Sequence, residues 1–97
     1  MQYMVTAYDF KDSDAINRRM AAREQHLKVA GEMHSAKRLV YGGAILSDEG
    51  KMVGSTLVYE ADSIDEVREL VKNDPYTVGK VWDPENTTIQ QIRLAKF

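Results

Sequence analysis

The chain's hydrophobic and polar positions divide it into six segments. "QYMVTAYDF" (residues 2–10) is rich in aromatic and β-favouring side chains and reads as a strand. "KDSD" then supplies polar turn and capping residues, and residues 14 to 35 are dominated by Ala, Arg, Met, Glu, Lys and Leu, good helix formers. "AKRLVYGGAILS" (36–47) returns to a strand pattern. "SDEGK" (47–51) is a turn signal containing glycine, and "MVGSTLVYEA" (52–61) is a further strand, so residues 38 to 60 are expected to form a β-hairpin. "SIDE" (63–66) has the Ser-x-x-Glu spacing of a capping box and opens a helix through about Asn73. "TTIQQIRLAKF" (87–97) alternates and closes as a strand. The order β-α-β-β-α-β predicts an α+β, ferredoxin-like fold, with two helices on one face of a four-stranded antiparallel sheet. With no repeat or linker, residues 1–97 are expected to form one domain.

The strand at 52–61 bears on assembly. Strict alternation turns Val53, Ser55, Leu57 and Tyr59 one way, and Met52, Gly54, Thr56 and Val58 the other. Neither set is strongly polar, whereas a sheet face open to water should carry charge. The helices can bury only one face. The other is expected to meet a second copy in a two-fold dimer of α+β barrel type.

The first helix breaks its own pattern. At roughly 100° per residue, Ile16, Met20, Leu27 and Ala30 form a stripe expected to face the sheet. Arg23 falls inside that stripe, Arg19 lies along its edge, and His26 lies on the same flank. A cation facing a core is costly unless paired. The alternatives are a snorkelling arginine or a partly buried pocket at the sheet–helix boundary that holds an anion or carboxylate.

Asp74 poses a related question, because Pro75 follows it. Asp as N-cap with Pro at N1 starts a helix well, so "DPYTVGKV" could be a short third helix. Capping occupies one carboxylate oxygen and leaves the other for an imidazole. Asp83-Pro84 repeats the dipeptide, and there a turn suffices. Gly42, Gly43 and Gly54 could leave room for a ligand on the sheet, or could mark bulges and close packing. Ser55 is a hydroxyl without a nucleophile-elbow motif around it.

Composition narrows the chemistry. Hydrophobic residues make up 43% and charged residues 29%, as in an ordinary globular chain. The absence of cysteine excludes disulfides and thiolate chemistry, and is compatible with the cytoplasm. No apolar run approaches the ~20 residues of a membrane span, and the N-terminus lacks the pattern of a secretory signal. A net charge of −2 gives no basic footprint for nucleic acid. His26 and His34 stand ~12 Å apart along a helix, too far to share an ion, so no metal is expected. No cofactor motif is present.

Together these segments resemble the YCII-related (YciI-like) family of small dimeric proteins. The resemblance rests on "YMVTAYD", "REQH" (23–26), "GGA" (42–44), "GS" (54–55) and "DPY" (74–76), in that order. It implies a site built on a His–Asp pair, here His26 and Asp74, with lyase- or dehydrochlorinase-type chemistry on small ring compounds in some members. The chain departs from the commoner pattern after "DPY", where "TVGKVWDPENTT" brings in a tryptophan and the second Asp-Pro. An imidazole oriented by a carboxylate, with no nucleophile behind it, suits proton abstraction, isomerisation or elimination. Arg23, Gly43, Ser55 and Tyr76 are the candidate substrate-binding residues, for a small ligand that is anionic or a ring compound. A non-catalytic ligand-binding or accessory dimer with the same pocket is the alternative.

Overall fold

The computed structural model describes residues 1–97. Its elements are β1 (Gln2–Asp9), α1 (Ala15–Ser35), β2 (Leu39–Leu46), β3 (Met52–Glu60), α2 (Ile64–Asn73), α3 (Pro75–Val78) and β4 (Trp82–Ile92). The four strands form one antiparallel sheet in the order β2-β3-β1-β4. This is the ferredoxin-like arrangement. β4 begins earlier and ends earlier than the sequence pattern predicts. Between Ala7 and Asp9 its pairing with β1 slips, and the extra residues loop out around Asp83. There the Asp83 carboxylate accepts from Glu85 N–H and Asn86 Nδ2–H, so the Asp-Pro turn lies inside the strand.

The core lies between the sheet and the helices. Tyr3, Val5 and Ala7 of β1, Leu57 and Tyr59 of β3, and Val67 of α2 are buried there with Tyr76, Val81 and Trp82. α2 follows its expected capping box: Ser63 Oγ accepts from Glu66 N–H, and Glu66 reaches back to Asp62 N–H. No helix is long and apolar enough to cross a membrane.

α1 corrects the expected stripe. Ile16, Met20 and Leu27 are exposed, and so is Arg23. The inward residues are Ala15, Arg19 and His26, with Ala22, Ala30 and Met33 packed against the core. Ala22 lets this face lie close to the turn after α3, where a Cβ on Gly79 would stand 3.5 Å from its methyl group. The face's two polar members are tolerated because each finds a buried partner. Ranking positions by apolarity alone selects the wrong side of such a helix.

Two register shifts decide what faces what. Leu39 pairs with Tyr59 but Tyr41 pairs with Val58, so Val40 is an extra residue in β2. Ile45 pairs with Gly54 but Leu46 pairs with Met52, so Val53 is an extra residue in β3. The second bulge moves Met52 onto the helix-facing side, against the strict alternation expected from sequence. Gly54 sits tightly on the far side: a Cβ there would lie 2.7 Å from the Ala7 carbonyl oxygen. That glycine is explained by close packing.

Candidate functional site

A cleft of about 560 Å³ opens between α1 and β2 on the helix-facing side of the sheet. Arg23, His26 and Leu27 of α1 form one wall. Gly42, Gly43 and Ala44 of β2 form the floor, with Ser55, Leu57 and Tyr76 among its most buried lining residues. The size is that of small-ligand sites in general, roughly 300–1,000 Å³.

Asp74 joins the two elements that make the site's inner end. It terminates α2 and caps α3, with extended backbone at φ −63° and ψ 139°. Its Oδ1 accepts from Tyr76 N–H at 2.9 Å, the expected N-cap bond. The same oxygen lies 2.8 Å from His26 Nδ1. A carboxylate is an acceptor, so the imidazole donates through Nδ1–H, and in the neutral ring Nε2 then carries the lone pair. Nε2 has no partner within the chain. His26 and Asp74 are 7% and 5% exposed, so the pair is shielded from water but reaches the cleft along the imidazole ring.

Aromatic rings hold the imidazole in place. Tyr76 stacks on His26 with centroids 3.9 Å apart and planes 13° from parallel, and Trp82 meets the same ring edge-on at 5.7 Å. Burial pushes the Tyr76 phenol above its usual range, against the pull of the Arg19 and Arg23 guanidinium groups, so it is a neutral donor. Burial, reinforced by the negative charge of Asp74, also holds the Tyr59 phenol up.

A second polar cluster adjoins this one. Arg19 Nη1 donates to both oxygens of Asp9, at 2.9 and 3.0 Å, and Nη2 donates to Ser55 Oγ at 2.9 Å. Trp82 Nε1 donates to the same hydroxyl at 3.1 Å. The Arg19 guanidinium carbon stands 4.7 Å from the Tyr76 ring centroid. Burial raises the Asp9 carboxyl above its ordinary value, and Arg19 opposes that shift.

The expected positions thus divide. His26, Asp74, Ser55 and Tyr76 come together. Arg23 and Gly43 line the outer part of the same cleft. Arg23 is exposed and makes no hydrogen bond within the chain, so Arg19 is the arginine that is buried against a carboxylate. The sequence motifs do not mark Asp9, Arg19 or Trp82 as site residues, yet all three adjoin the cleft through Ser55 and Tyr76. A signal existed for Asp9: it follows Tyr3, Val5 and Ala7 in the inward phase of β1, where an acid needs a partner.

Comparison with known proteins adds to this geometry. The family model for the YCII-related domain matches residues 1–83. The solved structure of 5-chloro-2-hydroxyhydroquinone dehydrochlorinase from Burkholderia phenoliruptrix AC1100, in complex with 2,5-dihydroxybenzoquinone, superposes with a TM-score of 0.82 at 25% identity, over 98% of this chain and 96% of that one. Derivative of benzaldehyde biosynthesis cluster protein C from Emericella nidulans is 33% identical over 78 residues, covering 72% of this chain and 80% of that protein. Aspartate kinase FUB3 from Fusarium oxysporum f. sp. lycopersici is 28% identical over 102 aligned positions, covering 99% of this chain, which spans only 18% of that protein's length.

Proposed function

The chain belongs to the YCII-related domain family, and we propose from that premise that it is a lyase or isomerase acting on a small ring compound, with His26 as general base and Asp74 as its orienting carboxylate. The observation that carries this reading is the 2.8 Å contact between His26 Nδ1 and Asp74 Oδ1 at the inner end of an open cleft. With Nδ1–H held by Asp74, Nε2 takes a proton from a ligand in the cleft. The carboxylate stabilises the imidazolium that forms. The electron pair left behind moves into the ring, and in an elimination a leaving anion departs with its own pair. Proton and anion together account for the atoms lost, and no redox partner is required. Arg23 attracts an anionic group at the cleft mouth, Tyr76 offers a phenolic donor, Ser55 offers its hydroxyl, and the backbone at Gly43 leaves space.

The dehydrochlorinase supports this chemical class, and its substrate, 5-chloro-2-hydroxyhydroquinone, is the first compound to test. Purified protein should release chloride from it, and His26→Ala, verified as folded by its thermal melt, should lose that activity by about 10²–10⁴-fold. A folded His26→Ala variant with full activity would refute the assignment.

A specific observation favours a second reading. A segment of FUB3 similar to nearly the whole of this chain forms a small part of a protein named as an aspartate kinase. Such a segment could serve a larger protein as a ligand-binding accessory domain. Ligand binding without turnover in the wild-type chain, on any ring compound that reaches His26, would favour that reading.

The functional unit is a homodimer joined through the sheet face turned away from the helices. Met4, Thr6 and Tyr8 of β1 lie on that face by register, with Thr56 and Val58 of β3 and Gln90 of β4, all uncharged; Glu60 at the margin is charged and pairs with the N-terminal amine. Light scattering at micromolar concentration should give twice the chain mass, from an interface burying more than ~1,000 Å².

A further inference from the structure

Ser55 Oγ already accepts two hydrogen bonds, from Arg19 Nη2 at 2.9 Å and Trp82 Nε1 at 3.1 Å. Both neighbours can only donate: a guanidinium has no acceptor, and neither has an indole N–H. A hydroxyl has two lone pairs and one proton. The lone pairs are taken, and no acceptor of the chain lies within reach of the proton. Ser55 is 2% exposed, yet it lines the cleft. The remaining direction for its O–H is therefore the ligand.

From this we infer that Ser55 is a one-way donor, which makes the cleft selective for ligands that present an acceptor oxygen, a ring carbonyl or a deprotonated ring hydroxyl, at that point. The inference rests on the ring-compound reading above and adds the polarity that the ligand must have. The Arg19 charge polarises the hydroxyl and strengthens the bond it donates. Asp9, bonded to the other guanidinium nitrogen, holds Arg19 in place. A neutral ligand hydroxyl can accept there only by turning its own proton elsewhere, and its oxygen is a weaker acceptor than an oxyanion. A carbonyl or oxyanion meets a donor that has no competing use. When His26 removes a proton from the ring, the charge that moves onto the ligand oxygen is stabilised at Ser55, so the same contact favours both binding and deprotonation. Ser55 contacts the ligand here without forming a covalent bond to it.

The test uses 4-nitrophenol, whose absorption reports its ionisation, bound to the full chain. In wild-type protein the ionisation midpoint of the bound probe should lie about one pH unit below that of the free probe. In Ser55→Ala the midpoint should return towards the free value and affinity for the phenolate should fall about tenfold. Ser55→Thr, which keeps the hydroxyl, should restore both. Ser55→Ala also strips the acceptor from two buried donors, so Trp82→Phe provides a second route if that variant does not fold. Trp82→Phe returns one lone pair to Ser55, which lets it accept as well as donate, and the midpoint should rise part of the way. Unchanged midpoint and affinity in folded Ser55→Ala would overturn the inference, as would an unchanged midpoint in Trp82→Phe where Ser55→Ala is unfolded. Wild-type protein that fails to bind the probe would remove the ring-compound reading and this inference with it. Binding that depends on His26 but not on Ser55 would remove the inference alone.

Discussion

Replacing Asp74 separates chemistry from folding, because one oxygen serves both. Asp74 Oδ1 accepts the imidazole N–H and the Tyr76 amide at 2.8 and 2.9 Å, in a site only 5% exposed. Asp74→Ala removes an N-cap, at a cost of ~0.5–2 kcal/mol. It also removes a buried hydrogen bond to a charged group, at a cost of ~1.5–3 kcal/mol. The sum is about 2–5 kcal/mol. At ~4–8 °C per kcal/mol for a domain of this size, the melting temperature should fall by roughly 8–40 °C. Asp74→Asn is different. Asparagine caps helices about as well as aspartate, and its amide oxygen can accept both bonds, so the stability loss should stay within about 1 kcal/mol. It carries no charge to stabilise an imidazolium, so turnover should still fall by about 10²–10⁴-fold. The assay is a pair of thermal melts with chloride release measured well below both transitions. Full turnover in Asp74→Asn would refute the role given to the carboxylate. An Asp74→Ala melt indistinguishable from that of Asp74→Asn would refute the double use of Oδ1.

Arg19→Met strands the buried Asp9 carboxylate and should destabilise the fold by ~3–5 kcal/mol, read by urea unfolding; pairing it with Asp9→Val should recover most of the loss. Gly42→Ala should be tolerated, because its Cβ would meet Leu57 at an ordinary 3.6 Å. Gly42→Leu should fill the cleft floor and weaken binding of a ring compound by about tenfold or more, equivalent to ~1.4 kcal/mol by titration calorimetry. The pH dependence follows from Asp9, whose folded-state pKa is raised by burial. Just above the ordinary carboxylate value the folded state binds more protons than the unfolded one, so this group's contribution to stability falls as pH rises through that window. Asp9→Asn should remove that part of the slope in denaturant midpoints measured across pH.

The fold was legible in the sequence because its local signals agree. The Ser63 capping box, the Asp74-Pro75 helix start and the glycine turn before β3 each mark an element boundary that the structure contains. The inner end of the site was legible in part. A family resemblance and a broken helical pattern point to His26 and Asp74, and the fold supplies their contact across 48 positions. The Asp9–Arg19–Ser55–Trp82 cluster was not legible. Its members are far apart in sequence, and an arginine whose two terminal nitrogens are bonded inside the fold looks, from sequence, like any helix-surface arginine. The apolar stripe misleads for the same reason: α1 buries Arg19 and His26 while leaving Ile16, Met20 and Leu27 outside. The bulges were legible only as one alternative for the nearby Gly42, Gly43 and Gly54, since nothing in the sequence marks Val40 or Val53 as the surplus residue.

The bulge at Val40 acts as a parity switch. Side chains along a strand alternate, so one surplus residue exchanges the two faces for everything beyond it. In an unbroken ladder from Leu39, Val40 would oppose Val58 and Tyr41 would oppose Leu57, which turns the Tyr41 ring onto the cleft floor and Gly42 to the far face. With the surplus residue, Gly42 opposes Leu57 and the floor is bare. The emptiness of the cleft is thus encoded by where the count of residues is broken as well as by the glycines. A relative that adds or drops one residue beyond this point in β2 could exchange the side chains its ligand meets without a single substitution at the site.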